Sequence, residues 1–222
     1  GNLPLSIHKR LEVSKRVGRI IKDNKSDLGL IIDHNAEKLN LVNKKGEVLD
    51  PAKYQVLIAY ILLEKGIKNL FLPLNSPRVI ESMAASYEAK VDYTPIRPQF
   101  AMNKFSEENE KSPLIYPFFD AIYSLGLILE KMAVENIEFE ELLSRLPDFY
   151  LDKAEIDCDW RDKGRVMRNL SENAEDNSEL IDGIKFNHDN GWALVIPDSE
   201  KPVFHVYAEG EDAEAAESLT GF

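Results

Sequence analysis

Residues 182–210 read DGIKFNHDNGWALVIPDSEKPVFHVYAEG, a pattern that predicts three short β-strands. The strands are expected at Ile184–Phe186, Trp192–Ile196 and Val203–Tyr207, which are rich in apolar, β-branched and aromatic residues. Asp189-Asn190-Gly191 predicts a hairpin turn, because Asn and Gly tolerate positive φ. Residues 197–202, PDSEKP, predict a loop held by a proline at each end. The segment therefore predicts antiparallel strands in a small α+β domain at the C-terminal end of the chain.

The preceding part of the chain alternates between strand and helix patterns. Strands are predicted at Leu28–Ile32, Leu39–Val42, Asn69–Leu72 and Ala89–Tyr93, and helices at residues 6–24, 51–65 and 76–87. This alternation predicts a layered α/β unit with parallel strand pairing in a mixed sheet. Further helices are predicted at Phe118–Val134, Phe139–Leu146, Asp162–Ser171 and Ala213–Leu219, with a strand within Asp148–Asp159. Because the first elements of the unit are missing from the pattern, we expect the chain to begin inside a domain.

Composition excludes several classes of function. The 222 residues carry a net charge of −12, so binding to nucleic acid or to an anionic membrane is not expected. No apolar run is long enough to span a bilayer. The single cysteine, Cys158, excludes an internal disulfide and a cysteine-built zinc site, and it favours a cytoplasmic location.

Residues 182–210 resemble the C-terminal domain of the α-D-phosphohexomutases, the phosphoglucomutase/phosphomannomutase family. The matching positions are Asp182, Gly183, Ile184, Lys185, Gly191, Trp192, Leu194, Pro197, Pro202, Val206, Tyr207 and Glu209. In that family the loop after the second strand binds the phosphate of the substrate with arginine, serine, glycine and threonine. Here Ile196 stands at the arginine, and the loop carries Asp198 and Glu200, which repel a phosphate. The resemblance therefore implies a vestigial sugar-phosphate site to which Ser199, Lys201 and His205 still contribute.

A second candidate site is Asp33-His34-Asn35-Ala36-Glu37-Lys38, between two predicted strands. Alternating oxygen-bearing side chains after a buried strand can converge on a hard cation. The corresponding family loop, Asp-Gly-Asp-Ala-Asp-Arg, holds magnesium with its three aspartates. Here only Asp33 and Ala36 match, Asn35 is uncharged, Glu37 is longer, and His34 replaces a glycine expected to need an unusual backbone angle. We expect Asp33, Asn35 and Glu37 to form an empty, vestigial metal site, with no cofactor, and magnesium only if loop 33–38 is functional.

The remaining family landmarks are also altered. Thr94 matches a substrate-binding turn of the family, but Arg97 stands where that turn has glycine. Pro98 restricts the backbone of Arg97 to extended forms, so we expect Arg97 to be at most a vestigial anion contact. Residues 107–113 lack the glycines of the family's sugar-binding loop. The phosphoserine that the resemblance implies belongs to an N-terminal domain, and Ser6, Ser14 and Ser26 have no matching context. No catalytic residue is therefore expected in this chain.

These observations predict a catalytically degenerate phosphohexomutase-like module with three parts: residues 1–50 from the second family domain, 51–150 from the third and 151–222 from the fourth. The resemblance implies a structural or sensing role in sugar-phosphate or sugar-nucleotide metabolism. By analogy with degenerate copies fused behind a sugar nucleotidyltransferase, it also suggests a C-terminal extension of a mannose-1-phosphate guanylyltransferase. Two alternatives stay open: a fragment of an active phosphoglucomutase/phosphomannomutase, and a protein-interaction or oligomerisation module. The expected partners are a sugar phosphate, a missing N-terminal catalytic domain and a second copy of the chain.

Overall fold

The computed structural model describes residues 7–96, 120–174, 178, 180 and 182–221. Within this part of the chain there are two compact units. The first comprises the described residues up to 70, residues 83–89 and the described residues from 120 to 147. The second comprises residues 71–82, the described residues from 90 to 96 and those from 148 onward.

The first unit begins with helix α1 (Ile7–Asn24) and a two-stranded antiparallel sheet of β1 (Gly29–Ile32) and β2 (Leu39–Val42). Helix α1 packs on β1 at Gly29, where a Cβ atom would lie 2.3 Å from the side chain of Ile21. A larger residue at this position would have to push the side chains of Ile21 and Val17 aside. The parallel pairing predicted for these strands is wrong, because the six-residue link 33–38 is too short for a parallel crossover.

The core of the first unit is built on helix α2 (Pro51–Glu64). Asp50 caps the helix by accepting hydrogen bonds from the N–H groups of Ala52 and Lys53, and Pro51 occupies the first turn. Its buried residues are Val56, Leu57, Ile58, Ala59, Ile61, Leu62 and Leu63. It packs against the helix formed by Ala121–Glu135.

Strand β3 (Asn69–Pro73), helix α3 (Val79–Ser86) and strand β4 (Lys90–Thr94) follow α2, and β3 pairs with β4. Each of the first two elements is divided between the two units. The helix that packs on α2 is α4 (Ala121–Glu135), which is capped by Asp120, and the short helix α5 (Phe139–Ser144) completes the first unit.

The second unit is built on a four-stranded antiparallel sheet in the order β5-β8-β7-β6. Its elements are β5 (Tyr150–Asp157), α6 (Trp160–Glu172), β6 (Ile184–His188), β7 (Gly191–Pro197), β8 (Val203–Gly210) and α7 (Ala213–Thr220). Helix α7 packs on β8 and β5. The buried side chains of Leu74, Trp192 and Leu194 form a core cluster, which Tyr93, Ile96, Leu151, Ile196 and Tyr207 extend.

The predicted strands and turn of residues 184–210 are confirmed, with each strand slightly longer than expected. The predicted α/β class, followed by a smaller antiparallel α+β part, is confirmed as well. The proposed boundaries near residues 50 and 150 stay predictions. No described helix combines the length and apolar character needed to cross a bilayer.

Candidate functional site

The loop between β7 and β8 folds around the carboxylate of Asp198. Its Oδ1 atom accepts hydrogen bonds from the backbone N–H groups of Glu200, at 2.7 Å, and Lys201, at 2.8 Å. The N–H of Asp198 donates to the carbonyl of Val203 at 3.1 Å, which closes the base of the loop. The two amides that could bind an external anion are therefore occupied by an anion of the chain itself.

The second oxygen of Asp198 is held by a histidine. Oδ2 lies 2.8 Å from Nε2 of His205, and Nδ1 of the same ring lies 3.6 Å from Oε1 of Glu155. Strand pairing explains the arrangement, because His205 on β8 is paired with Glu155 on β5. The imidazole is thus placed between two carboxylates and is not presented to solvent as a free anion ligand.

Lys163 supports the loop from helix α6. This lysine is only 8% exposed, and its ammonium donates to the carbonyl of Asp198 at 2.5 Å and to the carbonyl of Lys201. The ammonium also lies 4.1 Å from the centroid of the Trp160 ring, within the range of a cation–π interaction. Because its hydrogen bonds go to the loop carbonyls, Lys163 fixes the backbone of the loop.

These contacts favour the charged form of Asp198. The backbone hydrogen bond from Glu200, followed by that of His205, lowers the pKa of the Asp198 carboxyl from 3.8 to about 2. The carboxylate therefore stays ionised at neutral pH, and its negative charge stays at the centre of the loop.

The residues predicted for the sugar-phosphate site are only partly brought together. Ser199 and Lys201 are exposed at the loop tip, and His205 is half-buried at its base. Arg97 lies outside the described residues. The sequence missed Lys163, because a lysine in a polar helix gives no sign of burial; its spacing from Trp160, three residues along one helix face, was the available signal.

The predicted metal loop is organised by the same kind of contact. Oδ1 of Asp33 accepts hydrogen bonds from the N–H groups of Glu37, at 2.8 Å, and Lys38, at 3.1 Å. The left-handed residue of the loop is Ala36, with φ of 58°, and His34, which stands where the family has glycine, does not have positive φ. The carbonyl of Ala36 accepts a hydrogen bond from the N–H of Ala121 at 2.8 Å, which fixes the loop to the start of α4.

The donor set of this loop does not fit magnesium. One oxygen of Asp33 is engaged by the loop's own amides, while Asn35 and Glu37 are exposed. Within the described ranges, no three His, Cys, Asp or Glu side chains are grouped so that they could hold a metal ion. Magnesium needs near-octahedral oxygen ligands, which an amide and two unequal carboxylates on this loop do not supply.

A second buried polar cluster, not predicted from sequence, lies in the second unit around Glu209. Its Oε2 atom accepts hydrogen bonds from Nε1 of Trp192, at 2.7 Å, and from the backbone N–H of Arg78, at 2.8 Å. The ammonium of Lys185 is nearby, between the rings of Trp192 and Tyr93, at 4.5 and 4.8 Å from their centroids. Burial raises the pKa of the Glu209 carboxyl, which the two donors only partly offset.

Comparison with curated proteins gives partial-length similarities to sugar-phosphate mutases. The chain is 26% identical over 222 residues to a phosphoglucosamine/phosphogalactosamine mutase of Sulfurisphaera tokodaii, covering 92% of this chain and 49% of that protein. It is 24% identical over 213 residues to a phosphoglucosamine mutase of Methanocaldococcus jannaschii, covering 86% of this chain and 46% of that protein. No protein-family model matches the chain. The chain thus spans about half the length of the curated relatives it matches.

Solved structures show the same relationship at the level of the fold. A phosphoglucomutase/phosphomannomutase family protein from Burkholderia thailandensis aligns with a TM-score of 0.79 and 18% identity, over 95% of this chain and 48% of that one. The N-acetylphosphoglucosamine mutase of Aspergillus fumigatus, solved in complex with GlcNAc-6P and magnesium, aligns with a TM-score of 0.57 and 12% identity, over 92% of this chain and 51% of that one. The chain is therefore similar in sequence and fold to the C-terminal part of the α-D-phosphohexomutases, which confirms the resemblance found in residues 182–210.

Proposed function

We propose that this chain is a catalytically inactive phosphohexomutase-like module of a cytoplasmic protein of sugar-phosphate or sugar-nucleotide metabolism. The observation that carries the proposal is the closure of the loop 198–202 on Asp198. A carboxylate that accepts from the amides of Glu200 and Lys201 satisfies the donors that a phosphate would otherwise engage.

Electrostatics supports the same conclusion. A phosphate entering this loop would meet the charges of Asp198, Glu155 and Glu200, and the ammonium of Lys163 is already engaged by two loop carbonyls. The one cation within the loop 198–202 is Lys201, which is exposed at the tip. Displacing Asp198 would break two charge-assisted hydrogen bonds to backbone amides and one to His205, the contacts that hold the pKa of its carboxyl at about 2.

The proposal is tested by titrating the chain with glucose 1,6-bisphosphate and mannose 1-phosphate, with and without magnesium, while following backbone amides by NMR. We expect the amides of Glu200 and Lys201 not to shift at millimolar ligand. Saturable, magnesium-dependent shifts at these amides would overturn the proposal. A gain-of-binding variant sharpens the test: Asp198→Ser removes the internal anion and is expected to let inorganic phosphate shift the two amides, whereas Asp189→Ser in the exposed hairpin turn is not.

A second candidate is a fragment of an active phosphoglucomutase/phosphomannomutase. The observation that favours it is coverage, because the chain aligns with about half of each mutase and those proteins are named for the reaction. Under this alternative, the reaction would need a phosphoserine from a further domain and a metal bound at Asp33, Asn35 and Glu37, in a geometry of loop 33–38 that differs from the one described above. Conversion of a sugar 1-phosphate to its 6-phosphate by the full-length protein, abolished by Asp33→Asn, would establish it; no turnover in the full-length protein would exclude it.

We also propose that this module is a C-terminal extension of a mannose-1-phosphate guanylyltransferase, with an interaction module as the alternative. A fusion to a mannose-1-phosphate guanylyltransferase predicts that the full-length protein forms GDP-mannose from GTP and mannose 1-phosphate, and that deleting this module leaves that chemistry in place. An interaction module predicts instead that the chain self-associates or captures a partner through the acidic helix α7. Light scattering after size-exclusion chromatography at low and high salt tests the interaction module, and no self-association together with no captured partner would exclude it.

A further inference from the structure

The first unit contains a groove lined by basic residues, which contrasts with the net charge of −12 of the whole chain. The cavity has a volume of about 290 Å³ and is lined by Lys15, Gly18, Arg19, Lys22, Lys45 and Gly46. Lys15, Arg19 and Lys22 follow one another at intervals of four and three residues on α1, so they share one helix face. Lys45 comes from the turn that follows β2.

The groove exists because helix α1 and this turn touch backbone to backbone. A Cβ atom added at Gly18 would lie 2.8 Å from the Cα atom of Gly46, and one added at Gly46 would lie 3.0 Å from the Cα atom of Gly18. Gly46 also has φ of +84°, a conformation that favours glycine. The two glycines leave the floor without side chains, and the four basic side chains form the walls.

The charges of this groove have no carboxylate counterpart in the part of the chain that the structure describes. No carboxylate lines the cavity, and no ion pair within 4 Å joins Lys15, Arg19, Lys22 or Lys45 to a described acidic residue. By contrast, Lys44, next in sequence to Lys45, lies 2.8 Å from a carboxylate oxygen of Glu138. Four cations around one cavity repel one another, and a bound anion would offset that repulsion.

We propose that this groove binds the diphosphate or phosphate group of a small molecule. An arginine presents a planar fork that pairs with two phosphate oxygens, and lysines add charge at flexible distances. The cavity volume lies at the lower end of the range for small-molecule sites, which suits a phosphate-sized group. The net negative charge of the rest of the chain opposes a long polyanion such as DNA. None of the lining residues belongs to the loops 33–38 or 198–202.

The test is calorimetric titration of the chain with inorganic pyrophosphate at physiological salt, without divalent cations. The double variant Arg19→Gln, Lys45→Gln removes two groove charges. The matched control, Arg16→Gln with Lys90→Gln, removes the same charge from exposed positions outside the groove, one of them on the same helix. We expect saturable binding that weakens by about tenfold or more in the groove variant and by less than about twofold in the control.

Three results would overturn the proposal: no saturable binding at millimolar pyrophosphate, equal weakening in both double variants, or tighter binding of a DNA duplex with the same dependence on the groove residues. Amide shifts read by NMR keep this test separate from that of the proposed function. Binding in the groove shifts the described residues 15–22 and 45–46, whereas binding in the β7–β8 loop shifts residues 198–201. Unchanged melting temperatures of the variants establish that a loss of binding does not reflect unfolding.

Discussion

Nε2 of His205 lies 2.8 Å from Oδ2 of Asp198, while Oδ1 of the same aspartate accepts from two backbone amides of its own loop. Both oxygens of one carboxylate are therefore satisfied within the chain. Backbone N–H groups that point toward one spot can be satisfied either by a bound external anion or by a carboxylate of the chain itself. This loop has the internal one. The same arrangement occurs at Asp33, which accepts from the amides of Glu37 and Lys38.

The first prediction concerns Asp198 and acid stability. Its pKa is lowered to about 2 from 3.8, so its contribution to folding is complete above about pH 4 and is lost as the pH falls toward about 2. Asp198→Asn keeps the shape but removes the charge. We expect it to lower the free energy of unfolding by about 1–3 kcal/mol at neutral pH and to reduce the loss of stability between about pH 4 and pH 2.

Urea unfolding at a series of pH values, followed by circular dichroism, measures this effect. Asp157→Asn is the control, because Asp157 is an exposed carboxylate on the neighbouring strand β5. An acid transition as steep in Asp198→Asn as in the wild type would show that other carboxylates, and not Asp198, govern acid unfolding.

The second prediction concerns Lys163. Replacing it with methionine keeps the apolar stem but leaves the carbonyls of Asp198 and Lys201 without their donor, at an expected cost of about 1–3 kcal/mol. Hydrogen exchange of the amides of Glu200 and Lys201 should accelerate as the loop opens. The control is Lys153→Met, whose ammonium lies 5.2 Å from the centroid of the Tyr207 ring and makes a weaker contact. If these amides exchange equally fast in both variants, Lys163 does not stabilise the loop.

The sequence predicted local structure well and long-range contacts poorly. Asp189-Asn190-Gly191 predicts the β6–β7 turn because Asn and Gly tolerate positive φ. The structure places the turn at Asp189 and Asn190, and of these three residues only Gly191 has positive φ. By contrast, nothing near Lys163 in sequence reports the carbonyls of Asp198 and Lys201, which are 35 and 38 residues away. The resemblance identified the loop 198–202 as altered. Which group accepts hydrogen bonds from the loop's amides depends on the backbone geometry, which comparing residue types alone does not reveal.

The third prediction concerns Glu209. Burial raises the pKa of its carboxyl above 4.5, so the folded state binds this proton more tightly than the unfolded chain does. Its contribution to stability is therefore greatest at pH values below about 4.5 and falls as the pH rises through the folded pKa. Glu209→Gln, which is neutral at all these pH values, should gain stability relative to the wild type between acid and neutral pH.

Thermal unfolding of both proteins across this pH range provides the measurement. Glu209→Ala serves as the contrast, because it leaves the Nε1–H of Trp192 and the N–H of Arg78 without an acceptor and should cost about 2–3 kcal/mol at any pH. If the wild type instead becomes more stable relative to Glu209→Gln as the pH rises, the hydrogen-bond donors and Lys185 outweigh burial, and the pKa of the Glu209 carboxyl is lowered.

The fourth prediction uses two glycines with opposite surroundings. Gly191 begins β7 with φ of +156°, and a Cβ atom there would lie 1.9 Å from the carbonyl oxygen of Glu209 on the paired strand. Gly191→Ala must therefore displace backbone, because that oxygen is not the end of a flexible side chain, and we expect a loss of about 2–4 kcal/mol. Gly126 lies in the interior of α4 with no atom within 4 Å of its Cβ position. Gly126→Ala should stabilise by about 0.5–1 kcal/mol, since alanine restricts the unfolded chain and favours helix.

Guanidinium unfolding of both variants at neutral pH separates local strain from a general sensitivity to methyl groups. Opposite signs are expected, and the loss in Gly191→Ala should be accompanied by faster amide exchange along β7 and β8, because the strain acts on the pairing of those two strands. A Gly191→Ala protein as stable as the wild type would mean that β7 and β8 can separate at this end without cost. In that case Glu209, which lies on β8 opposite Trp192 of β7, would not be held rigidly in its buried position.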